Sequence, residues 1–257
     1  MFKKSIVSSI IFALSLFCIF SACKKEQPDK ACDIKKILVA TDATWPPMEF
    51  VDEKTKEIVG FDIDMLKAIA AEGGFEVEIM NQAWDGIFAG LGAGKYDAVI
   101  SSVTITKDRK KTMDFSMPYV SVGQILVVKK DSDVTNLSQL EGKTVGAQIS
   151  TTGALEVRKN KKINAKEYDE IGFAIEDLAN GRIDAVVCDN PTAANYVLEN
   201  QKYKAILKMA GERFTDEQYG IAVKKGNKEL VELLNNGIKK VLEKGLDKEF
   251  EKKWLQF

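Results

Sequence analysis

A short pattern that occurs twice constrains the fold more than any other stretch of the chain. Gly94-Lys95-Tyr96-Asp97-Ala98-Val99-Ile100 is matched by Gly181-Arg182-Ile183-Asp184-Ala185-Val186-Val187. In each copy a glycine turn and an aspartate lead into a brief apolar run, the mark of a parallel strand covered on both faces. Each run then ends in polar side chains: Ser101, Ser102 and Thr104 after the first, Cys188, Asp189 and Asn190 after the second. Open α/β sheets bind ligands at the carboxyl ends of their strands. The two copies therefore predict two α/β lobes whose strand ends face a common crevice.

Just beyond the first copy, Thr106 is placed to cap a helix whose first turn holds Asp108 and Arg109. A guanidinium fork, several hydroxyls and backbone donors then converge on one spot, which suits a carboxylate. Taken alone, Lys107-Asp108-Arg109-Lys110-Lys111 reads as the solvated face of a short helix. The repeated layout is what shifts the weight towards a site.

Composition closes off several function classes. At 45% hydrophobic and 29% charged over 257 residues, the chain is globular and large enough for two modest domains. Its 37 lysines and arginines balance 38 acids, leaving no basic excess to hold a phosphate backbone, so nucleic acid is not an expected partner. Histidine is absent, which removes Ser-His-Asp, Cys-His and histidine-ligated metal chemistry. No Cys, Glu or Asp spacing marks a metal site, and no cofactor is expected. Gly90-Leu91-Gly92-Ala93-Gly94-Lys95 has the look of a phosphate loop, but Tyr96 stands where a magnesium-binding hydroxyl would be needed, and the stretch reads as a helix end.

The first 22 residues read as an export signal: Lys3 and Lys4 form a positive head, 6–20 is an apolar run, and small residues precede Cys23. Phe20-Ser21-Ala22-Cys23 resembles a bacterial lipobox, with Phe20 where leucine is usual. That resemblance implies cleavage before Cys23, lipidation of its thiol and amine, and a polar tether over 23–34. The protein would then be lipid-anchored at a membrane, in the periplasm or on the cell surface. A plain secretory signal fits the same stretch and exports the chain equally. Cys32 lies in the tether, and Cys188 reads as a small core residue, not half of a disulfide.

In order, the chain reads as strand 37–40, a proline-stiffened loop 41–47, strand 59–61, helix 64–72, strand 75–80 and a helix opened by Trp84. Strands follow at 96–100, 123–129 and 144–147, then the polar turn 148–153, a helix to 159 and a strand near 163. Helix 173–180, strand 184–188, helix 192–200, strand 218–224 and helices 227–243 and 247–254 complete it. Alternating strands and helices predict mainly parallel sheets. The lobes are expected at 35–120 with 217–257, and at 121–216.

Several motifs now carry a family resemblance: Ala40-Thr41-Asp42 with Pro47-Met48-Glu49-Phe50, Gly60-Phe61-Asp62-Ile63-Asp64, Ile105-Thr106 to Arg109-Lys110, Asp114-Phe115-Ser116 and Gln218-Tyr219-Gly220-Ile221-Ala222. Over 37–254 the chain resembles the polar amino-acid binding proteins of bacterial ABC importers. The resemblance implies a monomeric, two-lobed type II periplasmic-binding-protein fold with crossings near 119–123 and 215–218. It implies hinge closure on a free L-amino acid, then docking on a permease with its ATPase. Arg109 would bind the α-carboxylate with Thr104, Thr151 and Thr152, while Asp189 and Ser102 would hold the α-ammonium. Trp45 and Trp84 would flank the side chain, Ser101 and Gln148 would add polar contacts, and Asp42 would reach the far end. Ser150 departs from the glycine usual in that turn.

Read without the family, Asp189 serves equally as a helix cap, the tryptophans as core, and Asp42 as a turn former. Two tryptophan faces and Asp42 favour Arg, Lys, His or Gln as ligand over an acidic amino acid. An amino-acid sensor for signalling and a dehydratase-type enzyme on the same fold are the readings from other classes.

Overall fold

The computed structural model describes residues 36–256, so the leader, Cys23, Cys32 and the tether lie outside the described residues. Strands β1 (Lys36–Thr41), β2 (Thr44–Trp45), β3 (Glu49–Val51) and β4 (Ile58–Val59) precede helix α1 (Phe61–Gly73). Next come β5 (Glu76–Asn81), α2 (Ile87–Ala93), β6 (Ala98–Val99), α3 (Arg109–Thr112), β7 (Met113–Phe115), β8 (Val120–Val122) and β9 (Gln124–Lys129). Then follow β10 (Thr144–Gln148), α4 (Thr152–Lys159), β11 (Asn164–Tyr168), α5 (Ile171–Ala179), β12 (Ala185–Asp189) and α6 (Asn190–Ala194). The chain ends with β13 (Leu207–Ala210), β14 (Glu217–Tyr219), β15 (Ala222–Lys224), α7 (Lys228–Glu243) and α8 (Leu246–Trp254).

Two five-stranded sheets form the lobes, in the orders β5-β1-β6-β15-β7 and β11-β10-β12-β9-β13. The repeated motif supplies β6 and β12, each at the centre of its sheet. In both sheets the fourth strand runs against its neighbours: β15 is antiparallel to β6 and β7, and β9 to β12 and β13. Each of these strands is the one that arrives from a crossing segment. The crossings themselves pair as a short antiparallel ribbon, β8 with β14. The expected strand over 218–224 is thus two strands, one in the crossing ribbon and one in the first sheet.

Other differences are local. Phe61, expected to end a strand, opens α1, because Gly60 at φ 135 turns the chain and the Phe61 and Asp62 amides bond back to the carbonyls of Pro47 and Met48. A Cβ on Gly60 would lie 2.2 Å from the Met48 carbonyl oxygen, so only glycine fits there. Trp84 precedes α2 instead of opening it. The helix expected over 192–200 starts earlier, at Asn190 with proline at its first turn, and continues as a π turn over Asn195–Glu199. On α7, Leu230, Leu234, Ile238 and Val241 are buried as the periodicity predicts, whereas Leu233 is only half-buried. Gly94 ends α2 in the left-handed conformation, which disposes of the phosphate-loop likeness. Cys188 is a free, buried thiol.

Candidate functional site

The cleft is built from strand ends. Asp42 follows β1, Trp45 closes β2, Trp84 follows β5, and Ser101, Ser102 and Thr104 follow β6. From the other lobe come Gln148 at the end of β10, Thr151 and Thr152 at the start of α4, and Asp189 at the end of β12. All of these, with Arg109 and Glu49, line one cavity.

Arg109 is set by its own turn. Its backbone N–H donates to the Thr106 hydroxyl at 3.1 Å, a local turn contact; the helix expected to be capped by Thr106 starts only at Arg109, with Asp108 at its N-cap and no side-chain cap bond. The guanidinium donates to the carbonyls of Thr104 at 2.8 Å and, from the other lobe, Ser150 at 3.2 Å. It also lies over the rings of Trp84 and Phe88, at 5.5 and 5.1 Å from their centroids. No carboxylate among the described residues forms an ion pair with it. Burial lowers its pKa to about 10, opposed by the charges of Asp189 and Glu217, so it remains a cation at neutral pH.

Asp189 occupies the N-cap position of α6, yet its side chain makes no cap bond; its Oδ1 accepts from Gln124 Nε2 at 2.9 Å. Burial, helped by the nearby charge of Glu217, pushes its pKa up to about 7. Glu217 gathers the hydroxyls around it. Its Oε2 accepts from Thr152 at 2.7 Å and from Thr104 at 2.9 Å, and its Oε1 from Thr215 at 2.8 Å.

At the opposite end, Asp42 makes the local contact expected of a turn former and also a bond across the cleft. Oδ1 accepts from the Thr44 hydroxyl at 3.0 Å, a local turn contact, while Oδ2 accepts from Gln148 Nε2 across the cleft at 3.2 Å. The Asp42 N–H donates to Ser101 Oγ, which in turn donates to Glu49 Oε1 at 3.1 Å. Trp45 and Trp84 are 6% and 7% exposed, so each is at once core and cavity wall. Trp84 Nε1 donates to the Ile149 carbonyl at 2.9 Å, another bond between lobes.

Ser150, in place of the usual glycine, takes φ 60 and keeps the left-handed turn that points its carbonyl at Arg109. Ser102 likewise has φ 49, which directs its N–H to Asp62 Oδ2 at 2.8 Å. Such backbone in a non-glycine residue costs about 1–2 kcal/mol and is held by its surroundings.

Residues 37–257 match the model of the bacterial extracellular solute-binding proteins, family 3. The chain belongs to that family. A probable histidine-binding protein of Neisseria gonorrhoeae is 37% identical over 233 residues, covering 88% of this chain and 86% of that one. A solved ancestral arginine-binding protein bound to arginine is 43% identical with a TM-score of 0.81, covering 86% of this chain and 98% of the other. A structure described as an ancestral arginine-binding protein bound to glutamine is 43% identical, TM-score 0.80, covering 85% and 97%. These relatives are named for binding, not for catalysis.

In this solute-binding protein the residues that sequence reasoning missed are informative. Glu49 was noticed only as part of a motif; its place between Met48 and Phe50, a charge inside an apolar stretch after two prolines, was the available signal. Phe88 could have been found as the residue one helical turn beyond Trp84. Glu217 and Gln124 carried no local signal, since their positions in the cleft depend on the two crossings.

Proposed function

We propose that this family 3 protein is the receptor of an ABC amino-acid importer, closing on one free polar or basic L-amino acid and delivering it to a membrane permease. The observation that carries this reading is a pair of desolvated, opposite charges from different lobes, Arg109 and Asp189, beside one cavity with no ion-pair partner for Arg109 among the described residues. A zwitterionic head group complements both at once. Arg109 takes the α-carboxylate through its remaining N–H donors, and the α4 N-terminus adds a favourable dipole. Asp189 and Ser102 take the α-ammonium.

Thr104 and Thr152 already donate their hydroxyl protons to Glu217, so towards a ligand they act as acceptors, which suits the ammonium side of the head group. Trp45 and Trp84 flank the side chain, with one face of Trp84 already turned to Arg109. Asp42, Glu49, Ser101 and Gln148 receive the far end. Two carboxyl groups there favour arginine, lysine, histidine or glutamine and disfavour aspartate and glutamate. The bonds between lobes at Trp84–Ile149, Asp42–Gln148 and Arg109–Ser150 hold the closed form, which is the form a permease would read.

We assign residues 35–120 and 217–257 to one lobe and 121–216 to the other, and a monomeric state. Residues 1–22 act as the export signal and 23–34 as the tether. Cys23 carries the lipid that holds the receptor at the membrane. Calorimetric titration of protein unfolded, stripped of carried ligand and refolded tests the receptor reading. One of the basic amino acids or glutamine should bind with one-to-one stoichiometry and acidic ones should not. If none of the standard L-amino acids binds, the proposal fails.

A further inference from the structure

Beneath the far end of the cavity lies an unusual pair. Glu49 and Asp62 are 1% and 0% exposed, and neither has a cationic partner among the described residues. Glu49 Oε1 and Oε2 accept only from the neutral hydroxyls of Ser101 and Ser102, both at 3.1 Å. Asp62 Oδ2 accepts from the Ser102 N–H at 2.8 Å and the Tyr119 hydroxyl at 2.9 Å. Asp62 Oδ1 is fully buried with no donor. Ser102 joins the two, its N–H bonded to Asp62 and its hydroxyl to Glu49; two uncompensated carboxylates so close inside a protein are prohibitively costly, and a single proton between them removes one charge and supplies the missing donor.

We propose that Glu49 and Asp62 share one proton, and that a cationic ligand side chain entering the cavity beside Glu49 expels it to solvent, whereas a neutral amide leaves it in place. The proposal rests on the reading of the cavity as an amino-acid site. The balance is simple: a carboxylic acid and a guanidinium become a carboxylate–guanidinium pair and one released proton. The site would thus present a neutral wall to glutamine and an anionic wall to arginine. Burial and the charge of Asp62 hold Glu49 well above the usual carboxylate range, and burial raises Asp62 to about 6, so both shifts favour a proton retained by the pair. The other titratable groups facing the pair are Asp42, at the cavity wall, and the hydroxyls of Tyr119 and Tyr219. Both tyrosines are held neutral by burial.

The sign follows from linkage. Binding a cation lowers the pKa of Glu49, so arginine affinity rises with pH below the free-state value, approaching tenfold per unit for one proton. Asp189 also titrates near neutrality, but it faces the head group common to all amino acids, and its effect cancels in a ratio.

The test is titration of the refolded protein with arginine and with glutamine between pH 6 and 8, in buffers of different ionisation enthalpy. Arginine should release more protons than glutamine, and the ratio of their affinities, arginine over glutamine, should climb with pH, by at most about tenfold per unit. In Glu49→Gln the excess proton and the slope of the ratio should vanish; persistence there would move the proton to Asp42 and overturn the proposal. Should that variant fail to fold, the wild-type difference decides alone. Equal proton counts for the two ligands overturn the proton exchange and leave the receptor reading standing. Absence of binding by either ligand removes both.

Discussion

Replacing Arg109 with alanine should abolish most of the affinity for any free amino acid. A guanidinium offers five N–H donors, and here one serves the Thr104 carbonyl at 2.8 Å and one the Ser150 carbonyl at 3.2 Å. Three remain, of which a bidentate carboxylate engages two. Each charge-assisted bond is worth about 1.5–3 kcal/mol, so the pair contributes about 3–6 kcal/mol. At roughly 1.4 kcal/mol per decade, Kd should rise by about 100-fold to 10,000-fold. Arg109→Lys retains three donors; with two taken by the carbonyls, one is left, and roughly half the loss is expected.

Arg109→Ala removes a desolvated cation, so its ligand-free melting midpoint should hold steady or rise. Calorimetric titration of the refolded variants, with melting curves taken without ligand, makes the measurement. An Arg109→Ala protein that binds within threefold of wild type, at unchanged stoichiometry, would refute the carboxylate assignment.

Three further outcomes are expected. Trp84→Phe keeps the ring but removes the bond to the Ile149 carbonyl, weakening the closed form by about 1 kcal/mol, so that ligand binds about fivefold less tightly; scattering profiles of the ligand-free protein should show a larger open fraction. Glutamine affinity should be full above pH 7 and decline through it as pH falls, approaching tenfold per unit, because the ammonium needs Asp189 ionised and the free-state pKa of that group is about 7; Asp189→Asn should flatten that decline. Gly60→Ala places a methyl 2.2 Å from the Met48 carbonyl at φ 135, which should cost about 3 kcal/mol or more and lower the melting midpoint by about 6–12 °C, read by calorimetry or circular dichroism.

The lobes were legible because their central strands are short, apolar and repeated, and burial on both faces of a parallel sheet requires that composition. Strand β6 falls within the first copy and β12 starts within the second, and Ser101, Ser102, Thr104 and Asp189 beyond the two copies line the cleft. The bond from the Arg109 N–H to the Thr106 hydroxyl was equally visible, since it is a local contact, although the helix itself starts later than expected, at Arg109. The less legible parts depend on distant packing. Strand β13, with buried Leu207 and Ala210 but half-buried Lys208 and Met209, has no clear alternation and exists because β9 offers an edge. Phe61 looked like strand because it continues Ile58–Val59, yet Gly60 turns the chain between them. Glu49 and Glu217 acquire meaning only when Ser101, Ser102, Thr104 and Thr152 arrive from other elements to donate to them.

A structure of the protein crystallised with its tightest-binding amino acid tests the central claim most directly. One ligand should lie between the lobes, its α-carboxylate within hydrogen-bond distance of the Arg109 guanidinium and its α-ammonium within reach of the Asp189 carboxylate. A ligand seated outside the cleft, or turned so that its ammonium points at Arg109, would contradict it.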